Sequence, residues 1–220
     1  MKNCLIIGAS GHAKVIIDII ESQNAAKIMG LLDLQHPIGA RIKGYAIIGR
    51  QEQLPQLMTE YAIDEIVVAI GDNFIRQRVV ESIRQNQPTL RFLTAIHPRA
   101  TVAANVAIGE GSVIMAGVTV NSDAVIGAHC ILNSNSVLEH DALLEDFASL
   151  APQAAVGGAT RIGVGAAVGM GASVIQCLTI GKHCVVAAGA AVIDSVEDLM
   201  LVGGVPAKII RSRSLGEKYF

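Results

Sequence analysis

The chain has 220 residues and a formal net charge of −2 with no block of like charges, which excludes nucleic-acid binding through a basic surface. Apolar residues make up 51% but aromatics only 3%, with no Trp, so the interior is built from Ala, Val, Ile and Leu and suits a narrow, repetitive core. The length holds one large domain or two small ones, and no run reaches the ~18 uninterrupted apolar residues that cross a membrane.

The N-terminus, "MKNCLIIGASGHAK", has too short an apolar core for a secretory signal and reads as folded structure. Cys4, Cys130, Cys177 and Cys184 show no CxxC or CxH spacing, which predicts structural thiols in a reducing cytoplasm. The positive mean hydropathy implies that some apolar surface is buried between subunits.

"NCLIIG" (3–8) reads as a buried parallel strand. The turn "GASGHA" (8–13) follows, and then Val15, Ile16, Ile19 and Ile20 recur at helical spacing. Strand, glycine turn and helix in that order aim free backbone N–H groups at an anion. "IMGLLD" (28–33) reads as a second strand ending in Asp33, and "DEIVVAIGDN" (64–73) as a third with Gly71 at its turn. A helix is predicted from Phe74 to Gln85, and "LRFLTAI" (90–96) closes the unit. The alternation gives a small, Rossmann-like open parallel sheet over residues 1–95, with ligands outside the strand C-termini. The turn lacks the G-x-G-x-x-G spacing of a full dinucleotide site. Asp33, 25 residues after Gly8, stands near the distance at which an acid meets a ribose hydroxyl. His12 is expected to be exposed, facing a phosphate or water.

From Ile96 the period becomes six: aliphatic residues recur through Val192 for 17 consecutive hexads without an insertion. Mostly small residues follow four places later, as at Ala124, Ala142 and Ala172. Gly109, Gly127, Gly157, Gly163, Gly169 and Gly181 fall directly after the aliphatic, where they are expected to permit a tight bend. Hexapeptide repeats mark a parallel β-helix. Three hexads close one triangular coil, so residues 96–196 form a prism of a little under six coils, roughly 27 Å long at ~4.8 Å per coil. "VGGVPAK" (202–208) predicts a turn away from the last coil, and 197–220 forms a C-terminal loop and tail.

Inside the repeat, "NSNSVLEHDALLED" (133–146) carries Glu139, His140 and Asp141 in a row. His140 takes the third place of its hexad and points outward, with Gly158 one coil on and Ser122 one coil back. Asp141 follows it, and Asn133, Asn135 and Ser136 come from the preceding hexad. Such a group offers a base, a carboxylate to orient it and a glycine N–H that a ligand can approach closely. His129 and His183 read as solvated surface histidines. A zinc site would need three converging histidines, and the spacing of His129, His140 and His183 does not close one. No G-x-S-x-G argues for a covalent serine mechanism.

"GASGHA", "AIGDN", the hexads, "NSNSVLEHD" and "GGVPAK" occur together in order. In this the chain resembles the hexapeptide-repeat nucleotide-sugar N-acetyltransferases of the bacillosamine and perosamine type, with sialic acid O-acetyltransferases as relatives. The resemblance implies an α/β N-terminal domain followed by a left-handed parallel β-helix, assembled as a homotrimer with active sites between adjacent subunits. It implies acetyl-CoA as donor and no metal. Gly8, Ser10, Gly11 and His12 would lie near the phosphates of a nucleotide-sugar acceptor and Asp33 near its nucleoside, with Gly71 and Asn73 in the same site. His140 would be the general base toward the sugar amine, Asp141 its orienting partner, Asn133 a site asparagine, and Gly158 the N–H donor to the thioester carbonyl. Gly158, Ser149, Ala188 and Lys208 would contact acetyl-CoA, Ser149 standing where some members have a histidine. The competing readings are a sugar O-acetyltransferase, a non-catalytic β-helix binding module, and a nucleotidyltransferase fused to a β-helix. The last would want more basic residues near the phosphates than Lys14.

Overall fold

The computed structural model describes residues 1–219; the final residue of the predicted tail lies outside them. The N-terminal sheet has five parallel strands: β1 (Lys2–Ile7), β2 (Ala26–Leu32), β4 (Tyr45–Gly49), β5 (Glu65–Val68) and β6 (Arg91–Phe92). A short antiparallel β3 (Arg41–Ile42) completes the order β3-β4-β2-β1-β5-β6. Strand alternation divides the side chains of β1 between two cores. Cys4 and Ile6 face α1 (Gly11–Gln23), which buries Ile16, Ile17, Ile19 and Ile20. Leu5 and Ile7 face α2 (Leu54–Glu60) and α3 (Asn73–Asn86). The hairpin β3–β4 and helix α2 lie in a stretch where the sequence showed no clear periodicity.

The predicted closing strand "LRFLTAI" divides in two. Arg91–Phe92 pairs with β5 in the α/β sheet, whereas Ala95–Ile96 (β7) already pairs with Val113–Ile114 in the prism. From β7 to Ala191–Val192 (β23), seventeen two-residue strands recur every six residues. Each pairs in parallel with the strand 18 residues away, as Val113 with Ile131 and Ile131 with Ser149, so three sheets form the faces of a triangle. The hexad aliphatics are buried from Ile114 to Val192, while Ile96, Val102 and Ile108 at the open end are only half-buried. Helix α1 covers that end, and the Ile96 N–H donates to Gln23 Oε1 at 3.2 Å. One apolar core therefore runs from α1 into the prism.

The glycines after the aliphatics serve a different purpose from the one expected. Positive φ falls two residues later, at fourteen consecutive corners from Gly111 to Gly189 that include Asn135, Asp141 and Ala159. At Gly127 and Gly157 the neighbouring coil is too close for a side chain. An added Cβ would lie 2.4 Å from Asp146 Oδ1 and 2.5 Å from the Gln176 nitrogen, respectively. Close approach of stacked backbones, not a special bend, demands glycine there.

After the last hexad the chain does not simply turn away. β24 (Met200–Gly204) continues one prism face by pairing in parallel with Val185–Val186, and β25 (Ala207–Ser212) folds back antiparallel upon it. Among the described residues no helix is long and apolar enough to cross a membrane.

Candidate active site

Two cavities meet at the end of β5. The larger, of about 770 Å³, runs between the α/β domain and one prism face. Gly11, His12 and Gly71 bound it on one side, and Asn133, Ser149 and Ala188 on the other. The smaller, of about 300 Å³, lies outside the strand C-termini and is lined by Gly8, Ser10, Asp33, Gly71 and Gln51. Gly71 belongs to both. The N–H groups of Ser10, Gly11 and His12, at the start of α1, have no hydrogen-bond partner among the described residues. This is the donor arrangement that binds anions.

Asp33 borders the smaller cavity, but its oxygens are already engaged. Oδ2 accepts from the Ala9 N–H at 3.0 Å; Oδ1 accepts from the Gln35 and His36 N–H groups at 2.8 and 2.9 Å and pairs with His36 Nδ1 at 2.9 Å. Burial alone would raise its pKa, yet the hydrogen bonds from His36 and Gln35 outweigh it and hold the carboxyl below its ordinary value. Asp33 thus ties the glycine turn to the loop after β2.

His12 is not the exposed residue expected. Its Nε2 is shut off from solvent without a partner, and burial beside Arg76 pushes the ring down to about 4, so it is neutral at pH 7. Asn73 also departs from expectation: it is turned into the domain junction, where Nδ2 donates to Ser149 Oγ (3.0 Å) and to the Gly165 and Ala166 carbonyls (3.2 and 3.1 Å). His129, expected at the solvated surface, is 3% exposed. It stacks on Phe147 at 5.1 Å and meets Phe92 edge-on at 4.6 Å. Burial pushes its pKa down to about 4.

His140 is the opposite case. It projects from a prism corner with its side chain 64% exposed, and Nδ1 lies 2.8 Å from Asp141 Oδ2. That hydrogen bond raises the pKa of the ring. The positive φ of Asp141 turns its carboxylate back toward the imidazole. The ring lies against Gly158 one coil on, where an added Cβ would come within 2.7 Å of Cε1 and Nε2. The Gly158 carbonyl accepts from Cys177 N, and its N–H has no partner among the described residues. Glu139 faces away to accept from Asn121 Nδ2 at 2.7 Å.

The triangle separates residues that the sequence seemed to group. Asn133 follows the strand Ile131–Leu132 on the corner that borders the large cavity, and its Nδ2 donates to the Leu150 carbonyl at 2.8 Å. His140 follows Val137–Leu138 on the next corner, and neither it nor Gly158 lines that cavity. Along the His140 corner, Ile175 and Ile193 stand 42% and 44% exposed, unusual for isoleucine. Lys208 lies outside the cavity, exposed and 3.8 Å from Asp194. No group of three His, Cys, Asp or Glu that could hold a metal occurs among the described residues.

Two residues of the site were not read from the sequence. Arg76 is 1% exposed in the junction, although Asn73, Arg76, Val80 and Ile83 share one helical stripe that marks it as inward-facing. Tyr219 lines the large cavity and its hydroxyl accepts from the Asn73 N–H at 3.2 Å. Nothing local in the tail predicts that contact.

Residues 3–83 match the family described as the PglD N-terminal domain, and 108–140 match the bacterial transferase hexapeptide (six repeats). A UDP-N-acetylbacillosamine N-acetyltransferase of Bacillus subtilis (strain 168) is 38% identical over 116 residues, 53% of this chain. The chain spans about half the length of that curated relative, 52%. Among solved structures, a histidine-to-alanine mutant of the GDP-perosamine N-acetyltransferase from Caulobacter crescentus, in complex with CoA and GDP-perosamine, gives a TM-score of 0.89. Its sequence is 35% identical, and the match covers 96% of this chain and 98% of that one. The acetyltransferase domain of PglB from Neisseria gonorrhoeae FA1090, in complex with acetyl coenzyme A, gives a TM-score of 0.86 at 32% identity, covering 95% and 99% of the two chains.

Proposed function

The chain belongs to the hexapeptide-repeat N-acetyltransferases of nucleotide-linked amino sugars, and from that premise we propose that it moves acetyl from acetyl-CoA to the 4-amino group of such a sugar. A UDP-4-amino-4,6-dideoxy-N-acetylglucosamine type of acceptor is the form we favour. The observation that carries the reading is His140, aimed outward by Asp141 over a glycine whose N–H is unpaired.

In this reading the sugar amine attacks the thioester carbonyl while His140 Nε2 takes its proton. The Gly158 N–H stabilises the oxyanion of the tetrahedral intermediate. Collapse breaks the C–S bond, and the proton held on His140 passes to the departing CoA thiolate. Asp141 fixes the tautomer with Nδ1 protonated, leaving Nε2 as the acceptor.

The separation of His140 from the large cavity within one chain supports a site shared between subunits of a trimer. One subunit would give His140, Asp141 and Gly158, and its neighbour the cavity wall with Asn133, Ser149 and Ala188, along which CoA would lie. The exposed Ile175 and Ile193 beside His140 suit such an interface. Buried free thiols at Cys4, Cys130 and Cys184 suit a reducing, cytoplasmic setting.

The test is to incubate the protein with acetyl-CoA and a panel of UDP- and GDP-linked 4-amino sugars and their 4-hydroxy counterparts, following release of free thiol. Amine-dependent release that disappears in His140→Ala is expected. Release only with hydroxy sugars, or none with any acceptor, would contradict the proposal.

A further inference from the structure

Arg76 reaches from α3 into the junction and makes five hydrogen bonds. Nε donates to the His129 carbonyl (2.9 Å), Nη1 to the Ile70 and Gly71 carbonyls (3.0 and 3.1 Å), and Nη2 to Asn73 Oδ1 (2.7 Å) and the Phe147 carbonyl (2.9 Å). Every acceptor is uncharged. Burial lowers the guanidinium only to about 10, so a full positive charge sits at the junction at neutral pH. A buried cation without a carboxylate is costly unless some other anion compensates it.

The two carbonyls at the end of β5 show where that anion belongs. In a trans peptide the C=O and the N–H point in opposite directions. With the Ile70 and Gly71 carbonyls drawn onto Arg76, the N–H groups of Gly71 and Asp72 point away from it. Neither N–H has a partner among the described residues. The Asp72 carboxylate is occupied, its Oδ1 accepting from the Ile75 N–H at 2.9 Å as the cap of α3. At Gly71 itself an added Cβ would meet nothing within 4 Å, so the turn faces open space. Across the large cavity stand the unpaired N–H groups of Gly11 and His12.

We propose that the Ile70–Gly71–Asp72 turn cradles a diphosphate through the Gly71 and Asp72 N–H groups, with Arg76 behind the peptides as positioning residue and fixed counter-charge. The inference rests on the function proposed above for the identity of the ligand. In a sugar nucleotide the diphosphate lies between nucleoside and sugar, and Gly71 is the wall shared by the nucleoside-sized pocket and the cavity beside the prism. Arg76 touches no ligand itself. It polarises the two peptides and holds the β5 end at a fixed offset from the prism carbonyls of His129 and Phe147.

Calorimetric titrations of UDP, GDP, uridine, guanosine and CoA into wild type, Arg76→Lys, Arg76→Gln and Gly71→Ala test this. Folded Arg76→Gln should bind the favoured nucleoside diphosphate about tenfold more weakly, one charge-assisted interaction's worth. Its affinity for the bare nucleoside and for CoA should not change. Arg76→Lys, which keeps the charge, should bind the diphosphate more tightly than Arg76→Gln. Unchanged diphosphate affinity in folded Arg76→Gln would overturn the proposal. So would an equal loss for nucleoside and diphosphate, which is the mark of a purely structural arginine. A loss confined to CoA would give the diphosphate to the donor and overturn the assignment to the acceptor. Should Arg76→Gln fail to fold, Gly71→Ala decides: its methyl enters the cradle, and wild-type diphosphate affinity there would refute the idea. Wild type that binds a nucleoside diphosphate yet acetylates no amino sugar would refute the proposed function and leave the cradle standing.

Discussion

His129 and His140 occupy neighbouring corners of the same prism and differ in almost every physical respect. His129 is sealed between Phe92 and Phe147, its pKa pushed down to about 4, and serves as a neutral aromatic spacer between the two domains. His140 stands in solvent, its pKa raised by the Asp141 hydrogen bond, with its ring against a bare glycine. The hexad dictates where each backbone goes, but the neighbours decide what the imidazole does. A rigid coil can bury one histidine as core and present another as a base.

Replacing His140 breaks the contrast most severely. His140→Ala should lower kcat by at least ~10² while the assembly stays folded, the usual contribution of a general base. Near-normal turnover would remove His140 from the chemistry. Gly158→Ala comes next. Its backbone tolerates alanine, but the methyl would displace the His140 ring, and a misplacement near 1 Å costs about 10² in rate. The melting temperature should scarcely move. An unaltered kcat would show that the ring's seat on Gly158 is irrelevant.

Asp141→Asn sharpens the comparison through pH. A base must be neutral to act, so the rate rises with pH through the His140 pKa, which Asp141 raises. Without the carboxylate that limb should shift toward lower pH, and kcat on the plateau should fall by less than in His140→Ala. An unmoved limb would mean that the titrating group is not His140.

The smallest effect belongs to His129 and concerns stability alone. Its folded pKa, like that of His12, lies near 4 against 6.5 for a free imidazole, so the fold favours the uncharged ring. The stabilisation is complete above pH 6.5 and is lost as pH falls from there toward 4. His129→Asn suits the positive φ there but loses both ring contacts. Thermal melts at neutral pH should show about 1–3 kcal/mol of lost stability. The further fall in melting temperature between pH 6.5 and 4 should be shallower than in wild type. An equally steep fall would assign the acid sensitivity elsewhere.

The prism was legible in the sequence because its determinant is local. Each coil repeats the same aliphatic at the same spacing, and pairing 18 residues apart follows directly. Its outward corners were legible for the same reason, which is why His140 above Gly158 could be located. The junction was not, because its contacts join residues far apart in the chain: Arg76 with His129 and Phe147, Asn73 with Ser149 and Tyr219. His129 looks like any corner residue until Phe92 is laid against it. Asn133 and His140 look like one group in a linear string, yet a triangle turns them to different corners. The glycines after the hexad aliphatics had the right identity for a reason that only stacked coils reveal.

The central claim is that the His140 corner of one subunit works on the Asn133–Ala188 cavity of another. Two variants test it: His140→Ala, and Ala188→Trp, which fills the cavity. Each alone should be nearly inactive. Co-expressed in equal amounts, they should form mixed trimers in which an intact His140 meets an intact neighbouring cavity at about a quarter of the interfaces, as expected for random assembly of a ring with heterologous contacts. Recovery of roughly that share of wild-type turnover is the predicted result. Mixed trimers as inactive as either parent would place the whole site within one chain and contradict the account.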